Sequence, residues 1–375
     1  MYNFDEIIDR TNTNSYKWEK YKGKDILPLW VADMDFKAAQ PILEAMNRIT
    51  AHGIIGYSQT PTELNEVIVK RLAEKHNWQI DADWLVWLPG LVPGLHTTCR
   101  SIGNEGDEVL TVTPVYRPFM EATEYANRKL VTVPFDVDGN GVHTFNFEAI
   151  ENAITPKTKL FMLCNPHNPN GRIFSESELS KLVEICTKYG IAICSDEIHC
   201  DLILDETKQH ISVASLNNAI ENQSITLLAP SKTFNIAGLG CSFAVIPNAE
   251  IRAKFLKAKY GMLPTPSWYA FEAALVAYRD CEDWHQALLN YLRANQEYLL
   301  KEINAIEGLK MTRLEATYLA WVDFRDSGIK NYVQHLENKG IGVQDAGIFG
   351  GEGFFRLNFG TQKSRLEEAI RRMKR

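Results

Sequence analysis

The chain has 375 residues, 45% of them hydrophobic and 23% charged, with a formal net charge of -7. Single hydrophobic cores stop growing near about 250–300 residues, so this length predicts two domains. The acidic balance argues against an electrostatic nucleic-acid footprint, and no apolar run approaches the roughly 18 residues of a membrane span. Seven cysteines are scattered, with no Cys-x-x-Cys pair and no compact Cys/His cluster, which reads as reduced thiols. The start, Met1 to Glu6, is acidic and leads into no apolar segment, so no secretory signal is expected and the expected location is the cytoplasm.

To about Ala38 the chain is an aromatic, irregular arm containing Tyr16-Lys17-Trp18 and Pro28 to Phe36. Simple docking on the body and contact with a substrate are both open for it. Pro41 suits the first turn of a helix whose apolar face is Ile42, Ala45, Met46 and Ile49. Gly53 to Pro61, with Tyr57, reads as a loop. Trp84 to Trp87 reads as a short strand, followed by Pro89-Gly90-Leu91-Val92-Pro93-Gly94 and a helix. A strand, a glycine-bearing turn and a helix form a phosphate-binding layout, because free N–H groups and the helix dipole both favour an anion. A strand at Glu108 to Val112 ends before Tyr116, and Val131 to Val133 leads to the turn Asp138-Gly139-Asn140-Gly141.

Strand and helix signals then alternate. Leu160 to Cys164 is a buried strand, followed by the Pro-rich turn Asn165 to Gly171. Ser175 and Glu178 form a capping box for a helix reaching Tyr189 and stopping at Gly190, and Ile191 to Ser195 is the next strand, ahead of Asp196. This βαβ unit makes the two strands parallel and sets their carboxyl ends side by side. Ile225 to Ala229 is a further buried strand, ending before Ser231-Lys232. Asn168, Asp196 with Glu197 and His199, and Lys232 are thereby expected on one sheet edge, where open α/β sheets bind ligands. After Pro266 long helices follow, with Leu288, Leu292, Leu299 and Ile303 as core. A final α+β piece has strands at Tyr318 to Val322 and around Arg356, which alternates with Phe355 and Leu357 beside a glycine-rich run.

A lysine amine, a carboxylate and a phosphate-holding turn on one edge match the needs of pyridoxal phosphate: an amine for its aldehyde, an acid for its ring nitrogen and an anchor for its phosphate. The motifs Asn165-Pro166-x-Asn168-Pro169-x-Gly171, Ser195-Asp196-Glu197, Ser231-Lys232-Thr233-Phe234 and Phe355-Arg356-Leu357 occur in the order seen in the fold-type I pyridoxal-phosphate enzymes of aminotransferase class I/II, and the chain resembles that family over nearly its whole length. Leu29 to Phe36, Ser195 to His199, Ala229 to Leu239 and Glu315 to Trp321 resemble more narrowly its MalY/PatB subgroup of cystathionine and cysteine-S-conjugate β-lyases.

The resemblance implies an α/β fold with a mostly parallel sheet sandwiched by helices and a smaller α+β domain built from both ends of the chain. The expected boundaries are 1–45 for the arm and part of the small domain, 46–275 for the large cofactor domain and 276–375 for the small domain. It implies Lys232 as the amine that holds the cofactor and carries the Cα proton, and Asp196 as partner of the ring nitrogen. Asn168 would serve the ring hydroxyl and the substrate, Tyr116 the ring face, and the Leu91 and Val92 amides with Ser231 the phosphate. His199 completes the implied cofactor set, and Tyr57 would reach the phosphate from the other subunit of a homodimer. Arg356 would clamp the substrate α-carboxylate, with Ala32 also at the substrate. Many class I/II members carry a tyrosine where this chain has His199 and an arginine where it has Gly240, so the phosphate is expected to meet fewer charges here.

The implied reaction is α,β-elimination of a thiol from a cysteine S-conjugate, with pyruvate and ammonia as co-products. An aminotransferase using the same lysine and a lyase-fold protein with an added regulatory binding role are the alternatives. A metal hydrolase built on Asp196, Glu197 and His199 fits poorly, because no second ligand group is spaced to complete a site.

Overall fold

A computed structural model describes residues 2–139 and 141–375, so Asn140 of the expected turn lies outside the described residues. Its largest sheet has seven strands, in the spatial order Leu85–Leu88, Ser242–Val245, Ser224–Leu228, Ala192–Asp196, Thr158–Cys164, Glu108–Thr113 and Lys129–Pro134. All neighbours pair in parallel except Ser242–Val245, which is antiparallel to both of its partners. The central strands are short apolar runs because helices cover both faces. Phe161, Leu163 and Ile193 point to the layer holding Leu179, Leu182 and Val183, while Leu160, Met162 and Cys194 point to the layer holding Leu95 and Cys99.

The expected capping box is present: the Ser175 hydroxyl accepts the Glu178 amide and the Glu178 carboxylate accepts the Ser175 amide at 2.8 Å. That helix spans Glu176–Lys188 and returns the chain for the parallel strand Ala192–Asp196. Register then aligns Cys164 with Asp196 and Asp196 with Leu227, so three successive strands finish level with one another. Several strand and helix boundaries shift by a residue or two from expectation. Trp84 belongs to a 3-10 turn, Ala82–Trp84, and the strand after it runs Leu85–Leu88; Tyr189 caps its helix rather than extending it.

A second, antiparallel sheet orders Lys310–Met311, Leu319–Asp323, Phe354–Asn358 and Gln344–Asp345. Leu319, Val322, Phe355 and Leu357 pack with Leu292 and Leu299 of the helix Glu282–Ile303 and with Ile370 of Lys363–Met373. The arm joins this body. Leu27–Pro28 pairs in parallel with Ile341–Gly342, the Asn358 amide donates to Leu29 O at 2.8 Å, and Phe4, Met34 and Phe36 enter the same core. The anchor is ionic as well: the buried Asp35 carboxylate accepts Lys17 Nζ and Arg10 Nη1, each at 2.8 Å, which holds it well below the usual carboxylate range. All seven cysteines are buried and free, and no described helix is long and apolar enough to cross a membrane.

Candidate active site

The carboxyl ends of the parallel strands, the arm and the second sheet enclose a cavity of about 490 Å³. Leu91, Val92, Tyr116, Asn168, Asp196, His199, Ser231, Lys232, Arg356 and Ala32 all line it. Tyr57 does not. It sits in the loop between the helices Gln40–His52 and Thr62–His76 with its side chain fully exposed, outside the cavity of its own chain.

Lys232 follows the strand Ser224–Leu228 and is half-buried, and its Nζ donates to the carbonyl of Ala32 at 2.6 Å. Burial lowers its pKa to about 8, with the nearby Arg356 charge acting in the same direction against Asp33 and Asp196. The amine is therefore far readier to give up its proton than an exposed lysine. Three residues on, Asn235 fastens the lysine turn to the arm. Its Oδ1 accepts the Met34 amide at 2.9 Å, and its Nδ2 donates to Met34 O and Phe36 O at 3.0 and 2.8 Å.

Asp196 ends its strand in the sheet centre and is 3% exposed. Its carboxylate accepts the Ile198 amide at 3.1 Å, and no cationic side chain forms an ion pair with it among the described residues. Burial raises its pKa to about 7, with the Glu197 charge adding to the rise. Glu197 itself points elsewhere. It accepts Ser195 Oγ at 2.8 Å and Ser212 Oγ at 3.1 Å and meets His210 Nε2 at 2.8 Å, so it is no part of a metal set with Asp196 and His199. His199 is buried, and desolvation followed by the Lys232 and Arg356 charges lowers its pKa to about 3. Its ring is neutral at ordinary pH, and its Nδ1 has no partner.

Arg356, which the resemblance assigns to the substrate α-carboxylate, lies on the face of its strand opposite the apolar row of Phe355 and Leu357. Here that face is covered, and the residue is 4% exposed. Nη1 donates to Asn168 Oδ1 at 3.0 Å, Nη2 donates to Trp30 O at 3.1 Å, and the guanidinium lies 4.7 Å from the Phe349 ring centroid. No carboxylate pairs with it among the described residues, and burial lowers its pKa to about 10. A desolvated guanidinium without an anion is a receptor for one. Because Asn168 uses Oδ1 on Arg356, its amide N–H₂ is left as the group to offer a ligand.

The helix Leu91–Ser101 starts at the cavity wall, so its first backbone N–H groups are free for an anion. Gly240 backs this end: at φ +65°, a Cβ there would come within 2.7 Å of Pro89 O. Trp30, Tyr318 and Phe349 were not assigned to the site from the sequence: Trp30 and Tyr318 lie in the Leu29 to Phe36 and Glu315 to Trp321 motifs, which carry no role for them, and Phe349 lies in no motif. Tyr318 Oη donates to Ala32 O at 3.1 Å, the same carbonyl that receives Lys232.

A family model described as aminotransferase class I and II matches residues 24–373. The chain belongs to this family. Within it, the chain is 36% identical over 387 residues to cystathionine beta-lyase PatB of Bacillus subtilis (strain 168), with 99% of each protein covered. In three dimensions the chain superposes on the crystal structure of OvoB with a TM-score of 0.97 at 40% identity, covering 100% of this chain and 98% of that one. It superposes on the PLP-bound C-S lyase from Staphylococcus hominis with a TM-score of 0.91 at 32% identity, covering 100% and 97%. The MalY/PatB resemblance read from the motifs agrees with these likenesses.

Proposed function

We propose that this member of the family is a pyridoxal-phosphate-dependent carbon–sulfur β-lyase that splits cystathionine or another cysteine S-conjugate. One observation carries the reading: a half-buried amine of lowered pKa, a buried carboxyl without a cation and a buried guanidinium without an anion face one cavity. The PLP-bound C-S lyase and the cystathionine beta-lyase to which the chain is similar support it.

The residues fit the cofactor. Asp196 lacks the cation that a protonated ring nitrogen would supply, and Lys232 presents a primary amine beside it. The free amides at Leu91 and Val92, with the Ser231 hydroxyl, suit a phosphate, and the bare backbone at Gly240 leaves room for a close approach there. Tyr116, on the cavity wall, would lie against a face of the ring, and the Asn168 amide would suit the ring hydroxyl. Bound pyridoxal phosphate supplies an aldehyde for an amine and a ring that withdraws electrons from the substrate Cα.

The chain's own groups do the rest. Arg356 holds the α-carboxylate through two N–H donors and so fixes which Cα bond faces Lys232. Lys232, whose pKa near 8 suits proton exchange, removes the Cα proton. Asp196 would hold the ring nitrogen with its carboxylate, and His199, neutral at ordinary pH, would add no charge. With a sulfur on Cβ, the C–S bond breaks as the thiolate takes its electron pair. Addition of one water then completes pyruvate, ammonia and thiol. The arm carries Tyr16, Trp30, Val31 and Ala32 to the mouth, which suits contact with the sulfur substituent. Segments 1–45 and 276–375 form the smaller domain in this proposal and 46–275 the large one; Phe4, Phe36, Phe355 and Ile370 share a core that Leu204 and Phe234 of the large segment also enter. A homodimer that brings Tyr57 to the partner's phosphate end accounts for a tyrosine so exposed on its own chain.

The test is product analysis with purified, cofactor-loaded protein and L-cystathionine. Pyruvate and thiol released without any added 2-oxo acid support the lyase. Strict dependence on a 2-oxo acid with no thiol release would make the protein an aminotransferase.

A further inference from the structure

The cavity has a second polar end. Arg117 and Glu121, at the start of the helix Pro118–Tyr125, line the same cavity as Arg356, and Arg117 Nε stands 2.7 Å from Glu121 Oε1. Exposure separates the two ends. The Arg117 and Glu121 side chains are 55% and 32% exposed, whereas Arg356 is 4% exposed, so the pair stands at the mouth and the guanidinium of Arg356 at the floor. Much of the remaining wall is aromatic or aliphatic. It includes Phe349 under Arg356, Ile348, and the Tyr16 and Trp30 rings 5.0 Å apart.

A half-exposed ion pair four residues apart on a helix is held weakly, because water competes for both charges. Such a pair can be parted cheaply by a ligand that satisfies both members. A group carrying an ammonium and a carboxylate does this, exchanging one contact for two, with its carboxylate on Arg117 and its ammonium on Glu121. A singly charged group would engage one side chain and leave the other without its partner. The floor accepts the amino-acid end that is cleaved, and the apolar wall suits a thioether chain leading outward.

We infer that the mouth of the cavity is a subsite for a zwitterionic amino-acid head at the far end of the sulfur substituent, with Arg117 and Glu121 as its specificity-determining residues. This rests on the C–S β-lyase reading and adds to it the two side chains that would distinguish cystathionine from cysteine conjugates lacking a distal amino-acid head.

Four substrates of equal chain length test it: L-cystathionine, S-(3-aminopropyl)-L-cysteine, S-(3-carboxypropyl)-L-cysteine and S-propyl-L-cysteine. They carry both distal charges, the ammonium alone, the carboxylate alone, or neither. In the cofactor-loaded wild type, kcat/KM is expected to fall about two- to fivefold on loss of either charge, chiefly through KM. In Arg117→Gln the advantage of cystathionine over the aminopropyl compound should vanish, and in Glu121→Gln its advantage over the carboxypropyl compound. Equal kcat/KM for cystathionine and S-propyl-L-cysteine in the wild type, or preferences untouched in both variants, overturns the subsite while leaving the lyase reading in place. Failure to cleave any of the four defeats the lyase reading and the subsite with it.

Discussion

Asp196 gives the account a consequence for stability that can be measured without any catalysis. Its carboxyl is neutral in the folded and unfolded protein at low pH. Between its ordinary pKa of 3.8 and about 7, the unfolded chain ionises there while the folded chain keeps its proton, so this group makes stability fall as pH rises. Above about pH 7 both forms are ionised and the penalty is constant. A rise of roughly three pKa units at about 1.4 kcal/mol each amounts to about 4 kcal/mol. Asp196→Asn removes the titration but keeps the shape. The cofactor-stripped variant should therefore match the wild type near pH 4 and exceed it by up to about 4 kcal/mol at pH 8, while losing nearly all lyase activity. Urea unfolding of both stripped proteins from pH 4 to 8 measures the difference curve, in which other titrating groups cancel. A flat difference curve would falsify the claim that the cavity holds a carboxyl short of a cation.

Arg356→Leu removes two charge-assisted hydrogen bonds to the substrate carboxylate, worth about 3–6 kcal/mol together, so kcat/KM for every cysteine conjugate should fall roughly 10²- to 10⁴-fold in steady-state assays. Gly240→Ala places a Cβ within 2.7 Å of Pro89 O at a positive φ, so cofactor titration should find weakened affinity, whereas Gly238→Ala, with nothing within 4 Å of its Cβ, should bind as the wild type does. Asn235→Ala frees the lysine turn from the arm by deleting three hydrogen bonds. It should lower kcat more than it weakens cofactor binding, a split that steady-state kinetics and cofactor titration together resolve.

The sheet edge was legible because its signals are local. The capping box at Ser175 and Glu178, the stop near Gly190 and the apolar runs on either side dictate a parallel crossover, and parallel strands align the ends that carry Asn168, Asp196 and Lys232. The floor and mouth of the cavity were legible only in part, because they are made by pairings between the chain's ends. The motif pointed to Arg356 as a substrate group, but alternation along one strand cannot reveal that the arm lies across its polar face and lends it Trp30 O. Tyr16 and Trp30 come from the arm and Gln344 and Phe349 from beyond residue 340, and no spacing in the sequence joins them. The strand Ser242–Val245 is not legible for a different reason: four residues between a turn and Pro247 give too short a run to distinguish from loop. A helix pattern at Lys363–Met373, with Leu366, Ala369, Ile370 and Met373 buried on one side, was available and would have supplied the cover for the second sheet.

The central claim is that Lys232 is the amine that holds the cofactor. Borohydride reduction of the loaded protein fixes the cofactor covalently to that amine, and peptide mass mapping then locates it. The account predicts the added mass on the peptide containing Lys232, and its complete loss in Lys232→Ala. The same mass on another lysine, or none on the wild type, would contradict it.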